Sequence, residues 1–392
     1  MTWTRGLGRN VLALSLVSLL TDASSEMIYP LLPTFLATVI GAGAISIGVI
    51  EGCAQMTAAL LNVASGRWSD RLTSRRPMVL AGYALASVLR PLTGVAQSAA
   101  QVLAIRVGDR VGKGIRSSPR DALIADSVEP AMRGRAFGFH RAADHAGAVI
   151  GPLIAFVLLQ GFSLTIRQVF LLSAIPAALA VLVIMVGVRE TGRPLVAARP
   201  PMAAPMSGRF RAYLVVLALF TMGNSTDAFL LLRAQEGGVA PQHLPLLWAF
   251  LHVVKSLTST PGGALSDRIG RGPLIVGGWA VYALVYLGFA RATSVTQVWL
   301  LMAAYGVYYG LTEGVEKALV ADLVAPEVRG IAFGWFHLAI GIAALPASLV
   351  FGWMWETWGS ATAFSAGAAC AGGAAVLLAL VPRGVAPPRG RG

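Results

Sequence analysis

Residues Ala122–Gly138 read ALIADSVEPAMRGRAFG and residues Ala318–Gly334 read ALVADLVAPEVRGIAFG, identical at 11 of 17 positions across a spacing of 196 residues. Two such copies in one chain mark an internal duplication. Working outward from each copy, apolar stretches long enough to span a bilayer, about twenty residues, recur at 10–37, 45–66, 78–97, 100–120, 136–159, 167–188, 210–233, 243–265, 274–292, 296–320, 332–355 and 361–381. The long polar break at 189–209 carries Arg-Pro-Pro at 199–201 and reads as a flexible linker. The expected architecture is an all-α polytopic membrane protein of twelve transmembrane helices in two six-helix, pseudo-symmetric bundles: 1–188, a cytoplasmic linker at 189–209, and 210–392. An even number of helices separates the copies, so the halves share one orientation about an axis along the membrane normal, with a substrate site between them near mid-depth.

Composition agrees. Of 392 residues, 56% are hydrophobic and 12% charged, against about 45–50% and about 25% in an average soluble domain. With a mean hydropathy of +0.69, a water-soluble globular protein is excluded. Cys53 and Cys370 lie in apolar runs of opposite halves and offer neither a disulfide framework nor metal-ligand spacing, so no metal or cofactor is expected. Arg5 and Arg9 precede an apolar run reaching Leu36, too long and too interrupted by proline for a signal-peptide core, and it reads as an uncleaved first helix.

The formal net charge of +13 would suit nucleic acid if the charges were clustered for it. With both termini cytoplasmic, 21 of the 31 basic residues fall on the inner side, Arg167, Arg233 and Arg291 fall outside, and seven lie within helices. The positive-inside rule accounts for this distribution, so the basic charge is a topology signal and no nucleic-acid partner is expected. The expected location is the cell membrane, a bacterial inner membrane, with one twelve-helix monomer holding both halves of the pathway.

The segment after the second helix reads Gly66-Arg67-Trp68-Ser69-Asp70-Arg71, followed by Arg75-Arg76, and that after the eighth reads Gly263-Ala264-Leu265-Ser266-Asp267-Arg268-Ile269-Gly270-Arg271. A tight turn with an Asp near a helix terminus and arginines at the lipid surface can form ion pairs that latch one conformation. These copies resemble the G-x-x-x-D-R-x-G-R signature of the major facilitator superfamily, and the resemblance covers the whole chain. The first copy has Thr73 in place of the second Gly and runs one residue long. Three further stretches resemble the drug and metabolite proton-antiporter branch: Pro30-Leu31-Leu32-Pro33 ending the first helix, Arg110-Val111-Gly112-Lys113-Gly114 in the fourth with Lys for the family's Gln, and Gly147-x-x-x-Gly151-Pro152 in the fifth. Ala155 and Phe156 stand where that last motif often has a glycine pair. The resemblance implies gating roles for Gly66, Asp70, Arg71, Gly263, Asp267, Arg268, Gly147, Gly151 and Pro152.

A charge at the bilayer centre costs about 2.5–3.5 kcal/mol, so intramembrane ionisable residues are functional candidates. Arg106, Asp109, Arg110, Lys113, Arg116 and Arg120 fall on one stripe of the fourth helix, the last two close enough to the cytoplasmic end to snorkel. Glu51 on the second helix is placed to pair with Arg106 or Arg90. Asp22 and Glu26 on the first helix, and Asp144 with His145 on the fifth, are the candidates for proton coupling. Glu51, Arg106, Asp109, Arg110, Lys113, Asn224, Asp227, His252, Lys255, Tyr305, Tyr309 and Glu313 are the candidates for substrate binding. The chain has three lysines, Lys113, Lys255 and Lys317, all within helices, so a lysine kept there is not incidental. Trp248, Trp279, Trp335 and Trp353 read as packing residues or interface anchors.

The function expected is a proton-coupled secondary active transporter exporting, by alternating access, a small polar or amphipathic metabolite or antibiotic, anionic or zwitterionic in view of the basic residues. Proton-symport uptake of an organic anion would use the same residues with opposite flux. A non-transporting receptor or an enzyme on a transporter scaffold is the reading from another class. No nucleophile elbow, H-E-x-x-H or phosphate-cradling loop is present to support an enzyme.

Overall fold

The computed structural model describes residues 8–69, 72, 74–128, 133–190, 207–324 and 329–380. Twelve helical rods follow in order: α1 (Arg9–Ile40), α2 (Ala44–Ser69), α3 (Arg76–Val95), α4 (Ala99–Asp126), α5 (Arg133–Gly161), α6 (Ile166–Gly187), α7 (Gly208–Glu236), α8 (Leu244–Ile269), α9 (Arg271–Arg291), α10 (Val295–Leu323), α11 (Arg329–Trp358) and α12 (Ser360–Leu380). Among the described residues, nine are long and apolar enough to cross a membrane on that ground alone. The other three, α4, α8 and α10, are 28, 26 and 29 residues long. They carry the densest polar stripes of the chain, which only a protein-lined space accommodates at bilayer depth.

The duplication governs the packing. In the first half α1 lies against α5 and α6, α2 against α4, and α3 against α4 and α6; in the second, α7 lies against α11 and α12, α8 against α10, and α9 against α10 and α12. The halves meet through α2 on α11 and α5 on α8, contacts that exchange under the same pseudo-twofold relation. Small residues allow the closest approach: a Cβ at Gly48 would lie 2.3 Å from the Ser348 carbonyl oxygen.

Two departures from regular helix lie at equivalent places in the repeat. Pro30 and Pro33 do not end α1. Each removes a backbone donor, and the chain absorbs the loss by tightening to a 3-10 turn at Tyr29–Leu31 and then widening to a π-helical stretch at Phe35–Ile40. The corresponding part of α7, expected as one continuous helix, is broken: it runs Gly208–Gly223, opens at Asn224–Asp227, and resumes at Ala228–Glu236. The freed carbonyl of Gly223 accepts from the Tyr282 hydroxyl at 3.1 Å, which also reaches Asn224 Oδ1 at 3.2 Å. The two irregular stretches meet across the bundle interface, with the Tyr29 hydroxyl 3.4 Å from Thr226 Oγ1.

At the opposite end of the rods each bundle carries the same clamp. Arg75 donates to Ser69 Oγ at 3.1 Å and pairs with Asp126. Arg271, 196 residues later, bonds Ser266 Oγ and pairs with Asp322 at 3.5 Å. Each clamp ties three consecutive helices together. The α8–α9 turn of the second copy uses Gly270 at φ +94°, a conformation that favours glycine. Asp70, Arg71 and Thr73 of the first copy, the side chains of Arg67 and Asp267, and linker residues 191–206 lie outside the described residues.

Glu190, just beyond α6, caps α3. Its carboxylate accepts from Ser74 Oγ at 2.6 Å, Arg76 N at 2.9 Å and Arg75 N at 3.2 Å. Partial burial pushes its pKa up, but these hydrogen bonds and the Arg75 charge outweigh burial and hold it below the ordinary 4.5. A carboxylate with a depressed pKa contributes stability above its unfolded value and loses it as pH falls through the folded one. Glu190→Ala should therefore lower the thermal midpoint at neutral pH, and the difference from the parent should shrink as the pH falls below 4.5 and through the folded pKa; a gap of constant size across pH, measured by detergent-phase thermal unfolding, would contradict the cap.

Candidate functional site

The charged stripe of α4 is divided between fixed pairs and open groups. Arg106 binds Glu51 through Nη2 at 2.6 Å and Nε at 2.9 Å, both side chains fully buried, with the guanidinium 5.8 Å from the Tyr29 ring centroid. Asp109 accepts from Arg90 at 2.9 and 3.2 Å, and Arg90 also donates to the Thr21 carbonyl at 3.0 Å. Arg110 stands 4.0 Å from the far oxygen of Asp109. Arg116 does not snorkel: it is buried with its guanidinium 4.2 Å from the Tyr83 ring centroid. Lys113 is exposed to the inter-bundle space, with no ion pair among the described residues.

The α1 and α5 candidates form two groups. Glu26 accepts a 2.7 Å hydrogen bond from Trp248 Nε1 of α8, a contact between bundles. Asp144 accepts from Ser18 Oγ and has His140 Nε2 at 3.7 Å, one turn away, and Arg141 Nη1 at 3.6 Å. The charged neighbours of His145 are Arg141, Glu313, Lys255 and Asp144. Asp22 has no hydrogen bond or ion pair to its carboxylate among the described residues, and its charged neighbours are Asp144, Lys113, Glu26 and Arg116. Gly147 and Gly151 let α5 reach the α1 backbone, where a Cβ would lie 2.4 Å from the Leu19 carbonyl oxygen and 2.3 Å from that of Ala23. The motif that ends at Pro152 thus sets the α1–α5 spacing that brings Ser18 to Asp144.

In the second bundle, the break in α7 delivers Asp227 to a tyrosine cluster. Its Oδ1 accepts from the Tyr305 hydroxyl at 2.5 Å, with Tyr309 nearby. Tyr282, Tyr286, Tyr305, Tyr308 and Tyr309 form a continuous chain of ring contacts behind it, with centroids 4.2–6.5 Å apart. Lys255 holds its Nζ 3.7 Å from the Tyr309 ring centroid. Glu313 faces Lys317 at 3.8 Å and Arg141 of the other bundle at 3.6 Å. Glu316 accepts from Trp279 Nε1 at 2.8 Å. The buried ring nitrogens of His252 have no hydrogen-bond partner, and the ring stands edge-on to Trp248.

Between the bundles lies a cavity of about 430 Å³. Lys113 lines it from α4, Asp227 from α7, and Tyr309, Glu313 and Glu316 from α10. One end is shut by contacts between the halves: Tyr29 to Thr226, Glu26 to Trp248, Thr34 Oγ1 to Gln235 at 2.9 Å, and Glu356 capping Ile45 N at 2.8 Å. The other end, bordered by Lys317 and His337, faces the side on which α1 begins and α12 ends. Glu51, Arg106 and Asp109 lie behind the cavity wall within the first bundle, whereas Asn224 borders the cavity and Tyr305 is buried behind Asp227.

The model of the Major Facilitator Superfamily matches residues 14–251. The chain belongs to that superfamily. A superfamily relative, an uncharacterized MFS-type transporter of Methanocaldococcus jannaschii, is 34% identical over 361 residues, covering 90% of each chain. The multidrug resistance protein MdtH of Salmonella newport is 24% identical over 357 residues, covering 90% of this chain and 87% of its own. Among solved structures, a bacterial homolog of the lysosomal transporter Spinster in an inward-facing, unoccupied conformation superposes with a TM-score of 0.71 at 17% identity, covering 95% of this chain and 94% of its own. A POT family transporter bound to 5-aminolevulinic acid gives 0.81 at 11% identity, covering 97% and 99%. This superfamily member is therefore a membrane transporter for small molecules and not an enzyme, and it has the superfamily's fold.

Two groups were not singled out by the sequence of this facilitator. Trp248 and Trp279 hydrogen-bond Glu26 and Glu316 as well as packing. The α7 break has a signal in hindsight, the helix-weakening run Gly223-Asn224-Ser225-Thr226-Asp227. The fixed and open charges should respond differently to neutralisation. Glu51→Gln strands a buried arginine and should cost about 3 kcal/mol of stability, whereas Lys113→Met should leave the thermal midpoint within a few degrees of the parent; equal losses in the two variants would show that Lys113 is also a structural partner.

Proposed function

We propose that this superfamily member is a proton-coupled exporter of a small amphipathic metabolite or antibiotic carrying a negative charge, alone or in a zwitterion. The observation that carries the proposal is the placement of Lys113: an ammonium at bilayer depth, open to the cavity, with no ion pair to neutralise it and Arg110 one turn away. A cation left unpaired there is costly unless a ligand supplies the counter-charge. The facing wall is aromatic and polar, suited to the remainder of an amphipathic molecule.

Asp22 supplies the coupling chemistry. It shares its surroundings with Lys113 and Asp144, so a proton on Asp22 and an anion at Lys113 both alter the charge of one cluster. Proton and substrate compete for this cluster, so a proton taken up on Asp22 from outside releases the substrate, and inward proton flow drives outward substrate flow. With both termini cytoplasmic, as the distribution of arginines indicates, the cavity opens to the cytoplasm. Export is also supported by the multidrug resistance protein among the relatives.

Thermal unfolding of purified protein across cationic, zwitterionic and anionic metabolites and antibiotics, at acid and alkaline pH, tests this reading, because a ligand of the folded state raises its apparent stability. Anions should stabilise the parent, less so at acid pH where the proton competes, and fail to stabilise Lys113→Ala. Stabilisation by lipophilic cations alone, retained in Lys113→Ala, would overturn the anion assignment. In vesicles, Asp22→Asn should retain substrate exchange while losing accumulation driven by a pH gradient; undiminished pH-driven accumulation would remove Asp22 from the coupling.

A further inference from the structure

The second bundle holds a cation whose position no structural role accounts for. Lys255 projects from α8 and places its ammonium over the face of Tyr309, 3.7 Å from the ring centroid. Its nearest acidic groups are Asp227 and Glu313, yet neither comes within the 4.0 Å of an ion pair, and Nζ makes no hydrogen bond among the described residues. The surrounding helix does nothing to hold it. His252, one turn earlier, has neither ring nitrogen bonded, and the hydroxyls of Ser256 and Ser259 turn back to the carbonyls of their own helix. Only the flexible four-carbon stem tethers the charge.

The surroundings of that ammonium are those of a receptor for organic cations. An aromatic face is paired with a nearby carboxylate, and the carboxylate is held in place by the hydroxyl of Tyr305. Asp227 and Tyr309 both line the cavity. We propose that Lys255 is an internal stand-in for the substrate: it occupies an organic-ammonium subsite formed by the Tyr309 ring and the Asp227 carboxylate, and a substrate ammonium displaces it. The inference rests on the proposed function, in which Lys113 and Arg110 of the other bundle take an anionic group. It narrows the substrate to a zwitterion whose two charges span the bundles. The empty transporter then keeps the second bundle charge-balanced, and a ligand with only the ammonium competes against a tethered rival at high effective concentration.

The experiment uses the full-length purified transporter with two probes, benzyltrimethylammonium and phenylacetate, titrated calorimetrically. Lys255→Met removes the rival and should bind benzyltrimethylammonium at least tenfold more tightly than the parent. Lys255→Arg, which retains a cation, should restore the parent's weak binding, and adding Tyr309→Ala to Lys255→Met should abolish the gain. Lys255→Gln serves the same purpose if the methionine variant does not fold. No gain in the folded Met or Gln variant overturns the proposal, as does a loss of phenylacetate binding in either, which would make Lys255 an anion ligand. Failure of the underlying reading registers separately, as phenylacetate binding that survives Lys113→Ala.

Discussion

Within a bilayer, a charge must find its partner inside the protein, and the first bundle is organised around meeting that demand. Arg90 with Asp109 and Arg106 with Glu51 tie α3 and α2 to α4. Only because those four charges satisfy one another can α4 carry further cations on the same stripe. Arg116 finds an aromatic face in Tyr83, and Lys113 is left to the cavity. Such pairs add little net stability over an apolar core. Their effect is geometric, since they fix the rotation of α4 about its axis and with it the direction in which Lys113 projects.

The second bundle repeats the helix packing but not the chemistry. Where the first bundle crosses mid-depth on paired arginines, the second does so on a tyrosine cluster and a broken helix. The interruption frees backbone groups at a depth where lipid offers no partners, which is tolerated where protein or a cavity supplies them. Tyr282 serves the carbonyl side of the gap and Thr226 the amide side, its Oγ1 accepting from Ala228 N at 3.3 Å. The irregularity of α1 at Tyr29 lies directly opposite, so the roof of the cavity is built from the two places where the repeated chain departs from regular helix.

The duplication, the twelve segments and the membrane class were legible because they depend on composition and on spacing along the chain. The stripe on α4 was legible for the same reason, since residues three and four apart share a face. Partner choice was not. Glu51 had two arginines within reach in the sequence, and only the packing of α2 on α4 selects Arg106. Asp144 could be given His140 as a neighbour from the four-residue spacing, but its bond from Ser18 of α1 depends on how α5 packs on α1. The course of α1 through Pro30 and Pro33 was hidden because a missing donor can be absorbed by a change of helix type as well as by termination.

The tightest approach between the bundles is made by backbone. At Gly48 and Ser348, and again where Gly352 meets the Ala44 carbonyl, no side chain stands between α2 and α11. Interlocking side chains would act as teeth, each needing a rotamer change before one helix could pass the other. Two smooth backbones act as a plain bearing: they can slide or part by small increments, with a cost that rises gradually and no discrete unlocking step. Resistance to parting is then concentrated in the polar contacts around that bearing, chiefly Glu356 on Ile45 and Trp248 on Glu26.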